Sequence, residues 1–210
     1  MARLREKQKT DRHRRIVEAA NQLFSVTDYE LVRMEDIAEI AEVSVGTVYN
    51  YGNSKSELLT DIVASTVNSM TEVGEELIAA PPENVEEAIN GLLFSYLEKC
   101  LDKLTREMWA RAMAQSIIEP NSASGKRYNE LDGILLDQVC RMIERLYELK
   151  RLREDIVPRD VGEMIFHNLN NQFYDLVRYD DITVENYKKT LTRQNRTLIE
   201  AIVRRPGNAG

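Results

Sequence analysis

Apolar residues recur at three- and four-residue spacing along most of this chain, which is the pattern of helices that bury one face. Residues that favour helix starts punctuate the pattern, with Ser44 and Thr183 placed as N-caps and Pro158 as a first-turn residue. No segment alternates convincingly as a strand would. We therefore predict an all-α chain of about nine helices. The predicted ranges are 10–25, 34–41, 45–51, 54–79, 84–103, 105–118, 126–151, 158–179 and a last helix from 183.

The second and third predicted helices are short and are joined by a three-residue turn. Two such helices are too small to fold alone, and against the first helix they form a unit of helix-turn-helix type. This geometry leaves the outer face of the third helix free to enter a DNA major groove. Gly46 and Thr47 are small enough to let the backbone approach DNA closely.

Charge is spread unevenly along the chain. The net charge is −7, yet residues 1–15 carry a local balance of +5, and residues 1–55 sum to zero. A basic arm on an acidic body suggests that the protein binds a polyanion through its N-terminal end. The alternative is a solvated N-terminal tail with no partner. The basic residues of the arm are Arg3, Arg5, Lys7, Lys9, Arg12, Arg14 and Arg15.

Several classes of protein are disfavoured by the composition. No apolar run approaches the roughly 18 residues of a membrane span, and no phosphate-binding loop or hydrolase elbow is present. Cys100 and Cys140 are 40 residues apart with no motif, which favours reduced thiols in a cytoplasmic protein. With only two histidines, a zinc site is not expected. We expect no catalysis, cofactor, metal or membrane partner.

The candidate DNA contacts follow from the offsets around the third helix. Tyrosine hydroxyls and a lysine ammonium can donate hydrogen bonds to phosphates, and Asn50 can instead read a base edge. For Tyr49 and Tyr51 the alternative is packing in the three-helix core. The predicted contacts are Thr47, Tyr49, Asn50, Tyr51 and Lys55, with Arg33 as an addition.

The stretch from Ile37 to Leu59 resembles the DNA-binding signature of TetR/AcrR-type regulators. Its letters are IAEIAEVSVGTVYNYGNSKSELL, and the family pattern is roughly I-A-x-x-A-G-V-S-x-G-T-[LV]-Y-x-[YH]-F-x-[SN]-K-x-x-L. The resemblance covers residues 10–60. It implies a homodimer, a palindromic operator, repression, and release by a small organic effector. It also implies two domains: 1–53 with the helix-turn-helix and the basic arm, and 54–205 for effector binding and dimerisation.

The chain departs from the family pattern at Asp28, Arg33, Glu42 and Gly52. Glu42 replaces a turn glycine, which costs on the order of 1 kcal/mol in a left-handed conformation. Gly52 replaces a packed phenylalanine, and a cavity there would cost about 3–5 kcal/mol. Asp28 stands where glycine commonly ends the first helix. Arg33 replaces a threonine or serine and is expected to compensate by contacting phosphate.

The candidate effector contacts combine aromatic residues with polar residues in the eighth helix. Polar amides inside an apolar helix either line a cavity or specify an interface. His167, Asn171 and Tyr174 share one helical face, and a core or interface role is the alternative for His167. Core packing is likewise the alternative for Trp109. The predicted contacts are Tyr96, Trp109, Met113, Tyr128, Met164, His167, Asn171 and Tyr174.

These observations favour a ligand-responsive regulator that binds a double-stranded DNA operator as a dimer. The rival hypothesis is a helical ligand-sensing or interaction protein whose DNA-binding head has degenerated. Glu42, Gly52 and the neutral head support the rival. The salt dependence of DNA binding separates the two hypotheses. A protein that makes several phosphate contacts loses roughly 10³-fold in affinity for DNA between about 50 and 200 mM salt.

Overall fold

A computed structural model describes residues 2–204, with side chains from Arg5 onward. Over this range the chain forms nine helices and no named strand, which confirms the all-α prediction. Leu152 and Val203 form one isolated antiparallel bridge. The helices are α1 (Ala2–Val26), α2 (Met34–Ile40), α3 (Val45–Tyr49), α4 (Lys55–Ala79), α5 (Val85–Lys103), α6 (Arg106–Ile118), α7 (Ala123–Glu148), α8 (Pro158–Arg178) and α9 (Val184–Ile202).

Four of the predicted helix starts have a side chain that caps the first turn. The hydroxyl groups of Ser44, Thr105 and Thr183 each accept a hydrogen bond from the backbone N–H three residues later. Asn84 caps α5 in the same way, through a 3.0 Å bond from the Glu87 N–H. These caps satisfy donors that the helix itself leaves free. Local chemistry therefore sets these four helix starts.

Two starts were predicted too late. α1 begins at Ala2 rather than near residue 10, so the basic arm is helical over the described residues. α7 begins at Ala123 rather than 126, because the Ser122 hydroxyl accepts from the Gly125 N–H at 3.1 Å. The side chain of Arg3 and the predicted domain end at residue 205 lie outside the described residues.

Backbone contacts divide the chain into two compact units. The first contains residues up to Thr66 together with Leu101–Glu130. It therefore includes α1, α2, α3 and α6, together with the first parts of α4 and α7. Its buried residues include Ile16, Ile37, Val48 and Leu58, one from each of the first four helices. The proposed functional boundary between residues 53 and 54 stays a prediction.

The second unit contains Val67–Cys100 and the residues from Leu131 onward. A buried ladder of amides joins three of its helices. Asn195 of α9 donates to the Asn90 side chain of α5 at 3.2 Å and accepts from Asn168 of α8 at 3.3 Å. Each of these three amides therefore has a partner, which favours one register of the helices over others.

α7 and α8 approach each other closely within this second unit. A Cβ built on Gly162 of α8 would lie 2.6 Å from the Cα of Cys140 and 2.9 Å from its Sγ. Distances this short are not tolerated between real atoms, so only glycine fits. The glycine lets the two backbones pack against each other without an intervening side chain.

Candidate nucleic-acid interface

α2 ends in a Schellman turn that sets the direction of α3. The Val43 N–H donates to the Ala38 carbonyl at 3.0 Å, and the Glu42 N–H donates to the Glu39 carbonyl at 3.2 Å. Glu42 occupies the left-handed position of this turn, with φ of 53°. The sequence prediction of a strained glutamate is therefore confirmed. Its side chain is exposed and lies 3.9 Å from Arg15 of α1.

Replacing Glu42 with glycine should stabilise the protein by about 1 kcal/mol, because glycine adopts positive φ without steric cost. Urea unfolding of the full chain measures the difference. Glu42→Gln is the matched control, since it removes the charge and keeps the strained side chain. Equal stability of the glycine and glutamine variants would show that the backbone conformation contributes nothing.

α3 presents a small, open face to solvent. An added Cβ at Gly46 would meet no heavy atom within 4 Å. Tyr49 has 46% of its surface exposed, and Asn50 is exposed at the C-cap. The Thr47 hydroxyl is 2.8 Å from that of Ser44, which holds it at the start of the helix. This face has room for a groove edge to approach the backbone.

Tyr51 is placed differently from its predicted neighbours. Its ring stacks on His13 of α1 with centroids 5.5 Å apart, and its hydroxyl donates to the Lys9 carbonyl at 3.2 Å. His13 in turn is bound to Asp61 of α4 at 2.9 Å. In this arrangement Tyr51 ties the end of α3 to the basic part of α1. A phosphate contact by Tyr51 stays a prediction, and it would require the hydroxyl to exchange its hydrogen bond to the Lys9 carbonyl for one to the phosphate.

Lys55 stands at the first turn of α4, as predicted. Its ammonium donates to the carbonyls of Tyr29 at 2.7 Å and Glu30 at 3.2 Å. An ammonium has three donors, so one N–H is not used by these two bonds. The predicted phosphate contact is compatible with this geometry and stays a prediction.

Arg33 is an exposed residue at the N-cap of α2. Its guanidinium donates to Asp36 at 3.0 Å, and its backbone N–H donates to the same carboxylate at 3.0 Å. The guanidinium holds the pKa of Asp36 below its usual value. An exposed pair of this kind is weak and can open to a phosphate, so the predicted contact of Arg33 stays open.

Gly52 leaves no cavity, contrary to the expectation from the missing phenylalanine. A Cβ at this position would lie 2.7 Å from Cδ2 and 2.9 Å from Cγ of Leu58. Leu58 is fully buried and fills the space itself. The stability cost expected for a lost phenylalanine therefore does not apply. The compensation involves a residue six positions later whose packing the sequence pattern did not reveal.

The basic part of α1 adds positive charge next to α3. The Arg14 guanidinium lies 3.2 Å from Glu18 one turn away, and the partner of Arg15 is Glu42. Both are exposed pairs. The exposed basic residues on this stretch of helix are Arg5, Lys7, Lys9, Arg12, Arg14 and Arg15.

The predicted effector contacts fall into three environments. In the first unit Trp109 and Met113 are buried and Tyr128 is half-buried. In the second unit Tyr96 is buried and donates to Gln138 Oε1 at 2.6 Å. The α8 residues share one exposed face of the helix: Met164, His167, Asn171 and Tyr174. These four side chains are exposed in the single chain. Both an effector-binding role and an interface role for this face therefore stay predictions.

A cleft of about 590 Å³ lies in the second unit, where α5 begins and α9 ends. None of the predicted effector contacts lines it. Its lining residues are Glu83, Asn84, Val85, Glu86, Arg151, Ile199, Glu200, Val203 and Arg204.

Among the described helices, none is long and apolar enough to cross a membrane.

Asp132 of α7 accepts a hydrogen bond from Asn170 of α8 at 3.0 Å. Burial raises the pKa of Asp132, against the opposing effects of Asn170 and the nearby His167. A raised pKa in the folded state gives stability that is present at low pH and is lost as pH rises through that pKa. The contribution of Asp132 alone to stability is therefore smaller at neutral pH, where the carboxyl is ionised, than at acid pH.

Asp132→Asn should raise the melting temperature at pH 7, with a gain that shrinks as pH falls from 7 into the acid range, because the wild-type carboxyl becomes protonated there as well. Thermal unfolding across this pH range measures it. Asp180→Asn removes the same charge from an exposed position and serves as the control. A gain that is independent of pH would contradict this account.

Comparison with known protein families finds a match for the helix-turn-helix unit. Residues 16–62 match the model of "Bacterial regulatory proteins, tetR family". The helix-turn-helix unit of this chain is therefore similar to that of the TetR family. The matched residues include α2, α3 and the first turns of α4, which are the elements that position the predicted DNA contacts.

Two curated relatives match parts of the chain. The chain is 30% identical over 139 residues to the HTH-type transcriptional repressor KstR of Rhodococcus jostii, covering 65% of this chain and 58% of KstR. It is 31% identical over 88 residues to the uncharacterized HTH-type transcriptional regulator YhgD of Bacillus subtilis, covering 42% of this chain and 46% of YhgD. The chain thus spans about half the length of these relatives. Both are named as regulators of transcription.

A solved structure extends the likeness to nearly the whole chain. Thermus thermophilus FadR, a TetR-family repressor in complex with lauroyl-CoA, superposes with a TM-score of 0.71 at 21% identity. The superposition covers 94% of this chain and 98% of FadR. At this identity the likeness shows the fold alone. It places the helices beyond residue 62 within the TetR fold.

The sequence did not reveal several residues that the structure brings to this site. Tyr29, Asp61 and Arg111 contact the predicted DNA-binding residues or their neighbours from 25 or more positions away. None lies in a local motif. Only the fold brings them together.

Proposed function

We propose that this protein is a DNA-binding transcriptional regulator, and that it acts as a repressor. The observation that carries the proposal is the open face of α3, from Gly46 to Asn50, inside a compact helix-turn-helix unit. A recognition helix of this kind lies in the major groove. The basic part of α1 supplies the attraction to phosphates, which dominates affinity for DNA.

The proposed assembly is a homodimer on a palindromic operator. The exposed face of α8 includes Met164 with 59% and Tyr174 with 40% of their surfaces accessible. Exposed apolar side chains aligned along a helix favour burial against another copy of the same helix. A two-fold dimer presents two recognition helices, so a palindromic operator follows from the symmetry. Analytical ultracentrifugation should show a dimer.

The proposed effector is a small organic molecule with apolar and hydrogen-bonding parts. Trp109, Met113 and Tyr128 in the first unit offer aromatic or thioether surface with polar groups, and so does Tyr96 in the second unit. Either set of side chains suits such a ligand. The lauroyl-CoA bound by FadR makes an acyl thioester a suitable first compound to test. Release of DNA on adding an effector would support repression relieved by ligand.

Selection of genomic DNA fragments by the purified protein tests the proposal. A short palindrome that binds with a steep salt dependence is the expected result. Phosphate contacts make the affinity fall roughly 10³-fold or more between about 50 and 200 mM salt. A folded dimer that enriches no fragment at any salt concentration would instead support the degenerate-head hypothesis.

Lys55→Ala and Asn50→Ala should weaken DNA binding in different ways. Loss of a phosphate contact weakens binding about equally on all sequences and reduces the salt slope by about 1. Loss of a base contact removes discrimination worth about 1–3 kcal/mol at one base pair. Titrations on operator and random DNA measure both effects. Equal losses on the two DNAs for Asn50→Ala would argue against base readout.

A further inference from the structure

Two cations converge on one aromatic ring beside the proposed DNA interface. Tyr29 lies between α1 and α2, and its ring packs on Phe24 with centroids 4.9 Å apart. Lys55 Nζ is 4.8 Å from the Tyr29 ring centroid, and Arg111 Cζ is 4.7 Å from it. Burial raises the pKa of Tyr29 to about 12, so the hydroxyl is neutral at physiological pH. The ring attracts both cations through its π-face.

Arg111 is held in place by carboxylates as well as by the ring. Its guanidinium donates to Glu30 at 2.6 Å and to Glu107 at 2.9 Å, and it lies 4.0 Å from Asp28. The planar guanidinium can bind these groups together because its donors point in fixed, diverging directions. Arg111 therefore joins α6 to residues 28–30, which precede α2.

The segment 28–30 has an internal turn that presents its carbonyls. The Glu30 N–H donates to the Asp28 side chain at 2.9 Å, and the Leu31 N–H donates to the Asp28 carbonyl at 2.9 Å. Asp28, which replaces a common glycine, thus forms a turn of its own. The carbonyls of Tyr29 and Glu30 remain as acceptors for the Lys55 ammonium.

We propose that Tyr29 and Arg111 are positioning residues for DNA binding and act through Lys55. This rests on the proposed function, in which Lys55 contacts a phosphate. Residues 28–30, clamped by Arg111, hold two of the three ammonium donors of Lys55, so the third has a fixed direction. A free lysine side chain loses rotamer freedom when it binds, and a side chain that is already fixed loses less. The clamp therefore strengthens one phosphate contact without touching DNA.

Positioning has a signature that differs from direct contact. Each phosphate contact contributes about 0.9 to the slope of log affinity against log salt concentration. Tyr29→Leu removes the ring and keeps every charge, so we expect affinity to fall about 3- to 10-fold with an unchanged salt slope. Arg111→Lys keeps the charge but cannot bind several carboxylates in the same way, and it should have the same effect. Tyr29→Phe retains the ring and is the matched control, with unchanged affinity.

A double-mutant cycle tests whether the effect passes through Lys55. Once Lys55→Ala has removed the ammonium, Tyr29→Leu and Arg111→Lys should cause no further loss of affinity, because coupled residues are not additive. Additive losses would overturn the proposal, as would a salt slope reduced by about 0.9 in either single variant. Urea unfolding of each variant shows which ones are folded. If Tyr29→Leu does not fold, the cycle is completed with Arg111→Lys and Lys55→Ala.

A measurement without DNA separates this inference from the proposed function. Competitive amine labelling followed by mass spectrometry gives the reactivity of Lys55 relative to the exposed Lys7 of the same chain. We expect labelling of Lys55 to increase several-fold in Tyr29→Leu and Arg111→Lys and to stay unchanged in Tyr29→Phe. Unchanged labelling in the first two variants would overturn the clamp. Increased labelling in a protein that binds no DNA would overturn the proposed function and, with it, the role of the clamp in DNA binding.

Discussion

Replacing Arg12, Arg14 and Arg15 together with glutamine should weaken DNA binding on the order of 10²-fold at about 0.1 M salt. Three phosphate contacts account for about 2.7 in the salt slope, and the slope of the variant should be smaller by that amount. The pair of Arg14 with Glu18 and that of Arg15 with Glu42 are exposed and compete only weakly with phosphate. Titration of the operator at several salt concentrations measures affinity and slope together.

A control with the same change in charge is available in the second unit. Lys188, Lys189 and Arg193 of α9 are changed to glutamine in this variant, which alters the net charge equally. We expect its salt slope to match that of the wild type. If both triple variants lose the same slope, the basic part of α1 makes no specific contact and only overall charge matters.

Gly162→Val should destabilise the native state by about 3 kcal/mol. The added side chain meets the backbone of Cys140, where the Cα lies 2.6 Å from the position of a Cβ. Overpacking against flexible side chains costs about 1–3 kcal/mol, and here α7 and α8 themselves must separate. Urea unfolding followed by circular dichroism measures the loss.

Gly133→Ala is the matched control on α7. No heavy atom lies within 4 Å of a Cβ built there, so the substitution should stabilise the helix by about 0.5–1 kcal/mol. Opposite signs at the two glycines would demonstrate that contact, rather than helix propensity, dominates at position 162. A loss below about 1 kcal/mol for Gly162→Val would mean that the helices separate easily.

The sequence was sufficient for the helices because their signals are local. Periodic apolar positions identified nine segments, and Ser44 and Thr183 marked two starts through caps within the next turn. The start of α1 was missed because residues 2–9 carry no apolar periodicity. Polar and charged residues form a helix there, and it has no buried apolar face that would appear as a periodic pattern in the sequence.

The site was only partly predictable, for a physical reason of another kind. The exposed face of α3 follows from helix geometry, and the Schellman position of Glu42 follows from the turn. The contacts of Tyr51 with His13, and of Lys55 with Tyr29, join residues 38 and 26 positions apart. The compensation of Gly52 depends on how Leu58 packs against it. Such features arise from packing, which a single sequence does not specify position by position.

The left-handed conformation at Glu42 also has a consequence for mutation. Every glutamate codon becomes a glycine codon through one A-to-G transition at its second base. The gene that encodes the strained turn with glutamate therefore differs by a single nucleotide from one that encodes the relaxed turn with glycine. A gain in thermal tolerance lies one nucleotide away from this gene, at a residue outside the hydrophobic core.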